Sequence, residues 1–176
     1  MSKAWMITGS SRGLGRAFAE AALEAGDNVA VTARNVADLA DLKQRFGKQV
    51  LPLALDVTNE SQALDAVEST IETFGKLDVL VNNAGYGNVA PIEDTSIQEF
   101  RAQIETNLFG VIILTKAVLP HFREQRSGHF IQVTSIAGRL GPIGRAPYAA
   151  AKWGVEGFSG TLAKEGASFS IKVTLV

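Results

Sequence analysis

Cysteine is absent from the 176 residues, which excludes a disulfide framework, a thiol nucleophile and a zinc–thiolate site. Histidine is scarce: His121 and His129 have no partner cluster, so both are read as surface or helix-end residues rather than metal ligands. Neither sign of charge dominates, with 17 basic against 18 acidic side chains and a formal net charge of −1. That balance provides neither the polybasic surface of a nucleic-acid binder nor an acidic solvating tail. Apolar runs are of strand length, none near the ~20 residues of a membrane span. The N-terminal MSKAWMITG runs straight into an apolar strand and a glycine turn, without the layout of a signal peptide. The expectation is a soluble, cytoplasmic protein with no nucleic-acid or membrane partner.

Hydrophobic residues make up 46% of the chain, and its length suits one domain with a continuous core. Apolar strand-sized runs at 3–8, 28–33, 49–55, 77–82, 129–134 and 170–176 alternate with helical patterns near 14–26, 36–46, 60–74, 98–126 and 148–166. Strand, helix, strand in succession predicts a parallel sheet with helices on both faces. Runs such as Val29-Ala30-Val31 and Val79-Leu80-Val81 are apolar at every position, as strands buried on both faces require. Thr58 and Asn59 open the third helix, and Gly75 and Gly26 close the third and first. Pro120 interrupts the widest apolar helix, predicting a kink or an end near Ala117.

After the first strand comes Thr8-Gly9-Ser10-Ser11-Arg12-Gly13-Leu14-Gly15. Either this is a plain structural turn, or its glycines let the backbone approach a pyrophosphate at a helix N-terminus. In the second case Gly9 makes the turn, Gly13 permits the approach and Gly15 lets helix meet sheet. The second strand ends in Ala33-Arg34-Asn35, with no carboxylate before Asp38 to accept from a ribose 2′-hydroxyl. Arg34 and Arg12 are either ordinary surface charges or two forked donors for a 2′-phosphate. The missing carboxylate favours NADP(H), with NAD(H) as the alternative.

Polar residues also stand where a buried sheet should be apolar: Asn82-Asn83-Ala84-Gly85 end the fourth strand, and Thr134-Ser135 end the fifth. Ligands of open α/β sheets bind at such carboxyl ends. Tyr148 and Lys152 are four apart and share a face if helical. An ammonium beside a phenol favours the phenolate, which makes Tyr148 a candidate general acid/base.

Together these residues resemble the short-chain dehydrogenases/reductases over essentially the whole chain. The matching residues are the Thr8–Gly15 turn, Asp56, Asn82-Asn83-Ala84-Gly85, Asn107, Ser135 and Tyr148-Ala149-Ala150-Ala151-Lys152. The resemblance implies a Rossmann-type doubly wound α/β domain over 1–176, with six parallel strands in the order 3-2-1-4-5-6. It implies cofactor contacts from Gly9, Ser11, Arg12, Gly13, Leu14, Gly15, Arg34, Asp56, Val57, Asn83, Ala84 and Gly85, with Asp56 and Val57 at the adenine. It implies that Ser135 and Tyr148 bind the substrate oxygen, that Tyr148 exchanges its proton, and that Lys152 holds the nicotinamide ribose. Asn107 would anchor a water that links Lys152 to solvent. The activity implied is hydride transfer between NADP(H) and a carbonyl or secondary alcohol, in a homodimer or homotetramer paired through the helices at 98–126 and 148–166.

The family continues past a sixth strand with a Pro-Gly turn, a substrate-covering segment and a seventh strand, none of which follows Val176 here. The expectation is a fragment. A non-catalytic dinucleotide-binding module, acting as redox sensor or scaffold, is the alternative that this shortness favours. Tyr86, Arg139, Leu140, Ile143 and Arg145 would border the substrate without selecting it.

Overall fold

The computed structural model describes residues 2–176. Its elements follow the expected alternation. β1 (Ala4–Ile7) leads into α1 (Gly13–Glu24), β2 (Asn28–Ala33), a 3-10 turn (Val36–Leu39), α2 (Ala40–Phe46) and β3 (Val50–Ala54). α3 (Glu60–Phe74) and β4 (Val79–Asn82) precede the long helical stretch of α4 (Ile97–Ile104), a π turn (Glu105–Phe109) and α5 (Gly110–Gln125). β5 (Gly128–Gln132), the single turn α6 (Ala137–Leu140), α7 (Ala146–Gly166) and β6 (Ile171–Leu175) complete the described residues.

The six strands form one sheet in the order β3-β2-β1-β4-β5-β6, with every pairing parallel. Alternate residues of each strand point to opposite faces. Met6, Leu80 and Phe130 pack with Ala63 and Val67 of α3, Leu114, Val118 and Phe122 of α5, and Leu162 of α7. Ile7, Val29, Val31, Val79 and Val81 pack with Ala19 and Leu23 of α1 and with Leu42 of α2. The sheet is therefore buried on both sides, and the chain is doubly wound. Helix punctuation also matches: Asn59 Oδ1 accepts from Gln62 N at 3.0 Å, and Gly75 and Gly26 adopt positive φ just past their helices.

Three expectations need correction. α5 runs through Pro120 to Gln125, so of the expected kink or end near Ala117 the end does not occur. The missing Pro120 N–H frees only the carbonyl of Lys116; both residues are exposed, so water satisfies it. β5 stops at Gln132, and Val133 and Thr134 continue in loop geometry toward the site. Finally, the helix expected at 98–126 forms from α4, the π turn and α5 as Ile97–Gln125, and, against the expectation that no apolar stretch nears membrane length, its 29 residues are long and apolar enough to cross a membrane by length and composition alone. In the fold 44% of its most apolar window is buried, including the α5 face that packs on the sheet.

Candidate active site

All the polar sequence signals converge on the carboxyl edge of the sheet. At β1, Gly9 takes φ +68° and Gly13 φ +59°, left-handed values that cost other residues strain. Ser10 Oγ donates to Ile7 O at 2.6 Å and accepts from Thr32 N at 3.3 Å, which pins the turn to β2. A Cβ on Gly15 would collide with Asn83 Nδ2 and Gly9 O, so α1 starts pressed against the ends of β1 and β4. A Cβ on Gly13 would meet nothing within 4 Å. Arg12, the N-cap of α1, makes no side-chain cap, and no acidic residue stands in the first turn. The first turn of α1 is thus uncapped by side chains, with open space at Gly13 beside half-buried Ser11 and exposed Leu14, an arrangement that fits a pyrophosphate.

Arg12 and Arg34 are exposed, and among the described residues neither has an ion-pair partner. By contrast, Arg16 pairs with Asp41 and Glu20 on the same side of the fold. Asp56 accepts from Thr58 N at 3.0 Å and Thr58 Oγ1 at 2.8 Å. Those bonds, helped by the positive charge of Arg34, hold its carboxyl below the usual carboxylate range. Val57 is turned into the core, where it leaves no room for a Cβ on Gly110, so only its backbone faces the site.

The motif after β4 is a clamp. Thr8 Oγ1 accepts from Asn83 N at 2.9 Å and Ala84 N at 3.0 Å. Asn83 Nδ2 returns the link, donating to Thr8 O at 2.9 Å and Gly9 O at 3.2 Å. Below it, Asn82 Nδ2 donates to Gln132 Oε1 at 2.9 Å, tying β4 to β5 inside the core. Gly85 has no space for a Cβ because Asn107 Oδ1 occupies it.

Tyr148 and Lys152 lie one turn apart on α7, and Lys152 Nζ is 5.7 Å from the centroid of the Tyr148 ring. Both line a cavity of about 160 Å3 together with Asn83, Gly85, Tyr86, Gly87, Val133 and Arg145. Lys152 Nζ donates to Val133 O at 2.7 Å, and burial lowers its ammonium to about 8. Ser135 Oγ accepts from Ala137 N at 3.2 Å, which fixes the oxygen while leaving its own proton to donate. Asn107, buried in the π turn, spends both polar side-chain atoms on Tyr86: Oδ1 accepts from its N at 2.9 Å and Nδ2 donates to its O at 2.7 Å. Neither Ser135 nor Asn107 lines the cavity itself.

Several contributors were invisible in the sequence. Val133 anchors Lys152 by its carbonyl alone, a role no side chain announces. Gly87 admits the Tyr148 ring, since a Cβ there would sit 2.9 Å from Tyr148 Cδ2. Gly138 does the same for the Lys152 backbone at 2.9 Å. His129 lies in β5, as the strand run at 129–134 implies, with Nε2 2.7 Å from Thr174 Oγ1. No group of potential metal ligands occurs among the described residues.

Fold and site together define a dinucleotide-binding Rossmann domain with a tyrosine–lysine pair at its sheet edge. A sequence model of the short chain dehydrogenases matches residues 3–176, and the chain belongs to that family. It is 55% identical to oxidoreductase BOA17 of Botryotinia fuckeliana, over 100% of this chain and 65% of that protein. It is 41% identical to the 3-ketodihydrosphingosine reductase of Bacteroides thetaiotaomicron, over 97% of this chain and 61% of that protein. A crystal structure of a short-chain dehydrogenase from Streptomyces avermitilis superposes with a TM-score of 0.95 at 40% identity, covering 99% of this chain and 64% of the other. The chain thus spans somewhat less than two thirds of the length of these relatives.

Proposed function

We propose that the protein is an oxidoreductase that uses NADP(H) to interconvert a carbonyl compound and a secondary alcohol, with Tyr148 as general acid/base. The observation that carries this reading is the shared edge: the glycine turn, the Asn83 clamp and the Tyr148–Lys152 pair all sit at the carboxyl ends of β1, β4 and β5.

The N-terminus of α1, with Gly9, Ser11, Gly13, Leu14 and Gly15, would hold the pyrophosphate. Arg12 and Arg34, cations with no internal partner, would grip a 2′-phosphate, and Asp56 with the Val57 backbone would border the adenine. Asn83, Ala84 and Gly85 would line the adenosine side. When bound, the nicotinamide supplies or accepts the hydride. In the reducing direction, Tyr148 donates its proton to the carbonyl oxygen as charge builds there, and Ser135 adds a second donor. Lys152 has three N–H donors and gives one to Val133, leaving two for the cofactor's ribose and for water. The Asn107 amide clamps the Tyr86 backbone, so a water linking Lys152 to solvent would be held by Asn107 through its backbone in the π turn. Subunits would pair through the long helix and α7, where exposed Phe109 borders an open apolar hollow with Phe100 and Ile104.

The test is NADPH oxidation by the whole protein against a panel of ketones and aldehydes, with Tyr148→Phe alongside. The reading predicts turnover that falls on the order of 10²–10⁴-fold in the variant while NADPH affinity stays within about two-fold. Full activity in Tyr148→Phe overturns the acid/base role. NADPH binding without turnover on any carbonyl favours a non-catalytic dinucleotide-binding module.

A further inference from the structure

The loop between Ser135 and Tyr148 carries two arginines with different fates. Arg139 Nε donates to both carboxylate oxygens of Glu156, at 3.0 and 3.1 Å, so its charge is neutralised on the surface. Arg145 is half-buried, and its side chain has no ion pair and no hydrogen bond among the described residues. Its backbone is fixed: Arg145 N donates to Pro142 O at 3.2 Å, and Arg145 O accepts from Ala149 N at 2.8 Å. The side chain lines the same cavity as Tyr148 and Lys152, and no carboxylate lines that cavity.

Two cations therefore face one small volume with nothing inside the protein to balance them. Lys152 has a carbonyl partner and a place in the proposed chemistry; Arg145 has neither. A guanidinium drawn partly out of water without an acceptor is unfavourable, and this one stands where a reacting carbonyl would sit. Its planar fork matches a carboxylate with two parallel N–H bonds. Arg145 and Tyr148 stand three positions apart in the chain and line the same cavity. An acid reaching Arg145 while its carbonyl reaches Tyr148 must then carry the two groups only a few bonds apart.

We propose that Arg145 is a specificity-determining residue that binds a carboxylate on the substrate, which makes the substrate class short oxo acids and the corresponding hydroxy acids. This rests on the oxidoreductase reading above. The carboxylate takes no part in the bond changes. The carbonyl carbon gains the hydride, its oxygen gains the proton from Tyr148, and the acid orients both.

The experiment compares acetoacetate with ethyl acetoacetate as substrates for the whole protein with NADPH, in the wild type, Arg145→Gln and Arg145→Lys. The expected result is an acid-over-ester ratio in kcat/KM that falls on the order of 10–100-fold in the Gln variant, the worth of a charged hydrogen-bonded pair, and is partly restored by Lys. A ratio unmoved by Arg145→Gln, including an equal loss on both compounds, overturns the proposal. Should the wild type reduce neither compound, the oxidoreductase reading fails for these substrates, and titration of acetoacetate into the NADPH complex decides the carboxylate site separately. Saturable binding that Arg145→Gln abolishes supports the site, and no saturable binding overturns it.

Discussion

Lys152 is 3% exposed, and burial brings its ammonium down from 10.5 to about 8. The folded chain thus binds fewer protons there than the unfolded chain between pH 8 and 10.5. Stability from this group rises with pH across that window, and below it the buried charge is a standing cost of about 3 kcal/mol. Replacing Lys152 with Met removes that cost and leaves the Val133 carbonyl without its donor, worth about 1 kcal/mol in return. Lys152→Met should therefore raise the unfolding free energy at pH 7 by about 1–2 kcal/mol while destroying turnover. Urea titrations at pH 7 and pH 10 check this: the gain should shrink or reverse at the higher pH. A variant less stable at pH 7 would contradict the assigned cost. At this scale the sequence pointed to residues with a distinctive donor set, such as Tyr148, Lys152 and Asn83, and to the turn glycines through their backbone freedom. It was silent where backbone does the work, as at Val133. It did not reveal the side-chain partner of Asn107, the Tyr86 backbone 21 residues away.

At the scale of elements, the long helix departs most from its pattern. Its π turn at Glu105–Phe109 places Asn107 inward against Tyr86, and no periodicity in the sequence marks such an insertion. Pro120 is tolerated because its break falls on the solvent face. α6, one turn long, gives no periodic signal at all. On α4, Gln103 is fully buried with neither its Oε1 nor its Nε2 satisfied among the described residues. Each orphaned polar group costs about 1–3 kcal/mol, whereas an apolar side chain of the same shape has no such requirement. Gln103→Met should raise the melting temperature, by several degrees for a gain of about 1–2 kcal/mol in a chain of this size. A lower melting temperature would mean that the amide has partners on folding and belongs to the architecture of α4.

For the whole molecule, a parallel sheet covered on both faces was readable because apolar strand-sized runs alternate with helices, and such sheets bind ligands at the carboxyl edge; the strand order β3-β2-β1-β4-β5-β6 was implied by the family resemblance, not by the pattern. What the pattern does not contain is depth. Nothing in the spacing of Ser135 or Asn107 reveals that they stand beside the cavity rather than lining it, since that depends on how loops fold over the sheet edge. In the proposed function one bound dinucleotide spans the distance from the α1 turn to the Tyr148–Lys152 pair. A crystal structure of the whole protein with NADP tests it most directly. The account predicts the pyrophosphate on the N-terminus of α1, the 2′-phosphate against Arg12 and Arg34, and the nicotinamide ring in the cavity beside Tyr148. A nicotinamide lying away from Tyr148, or a 2′-phosphate touching neither arginine, would contradict it.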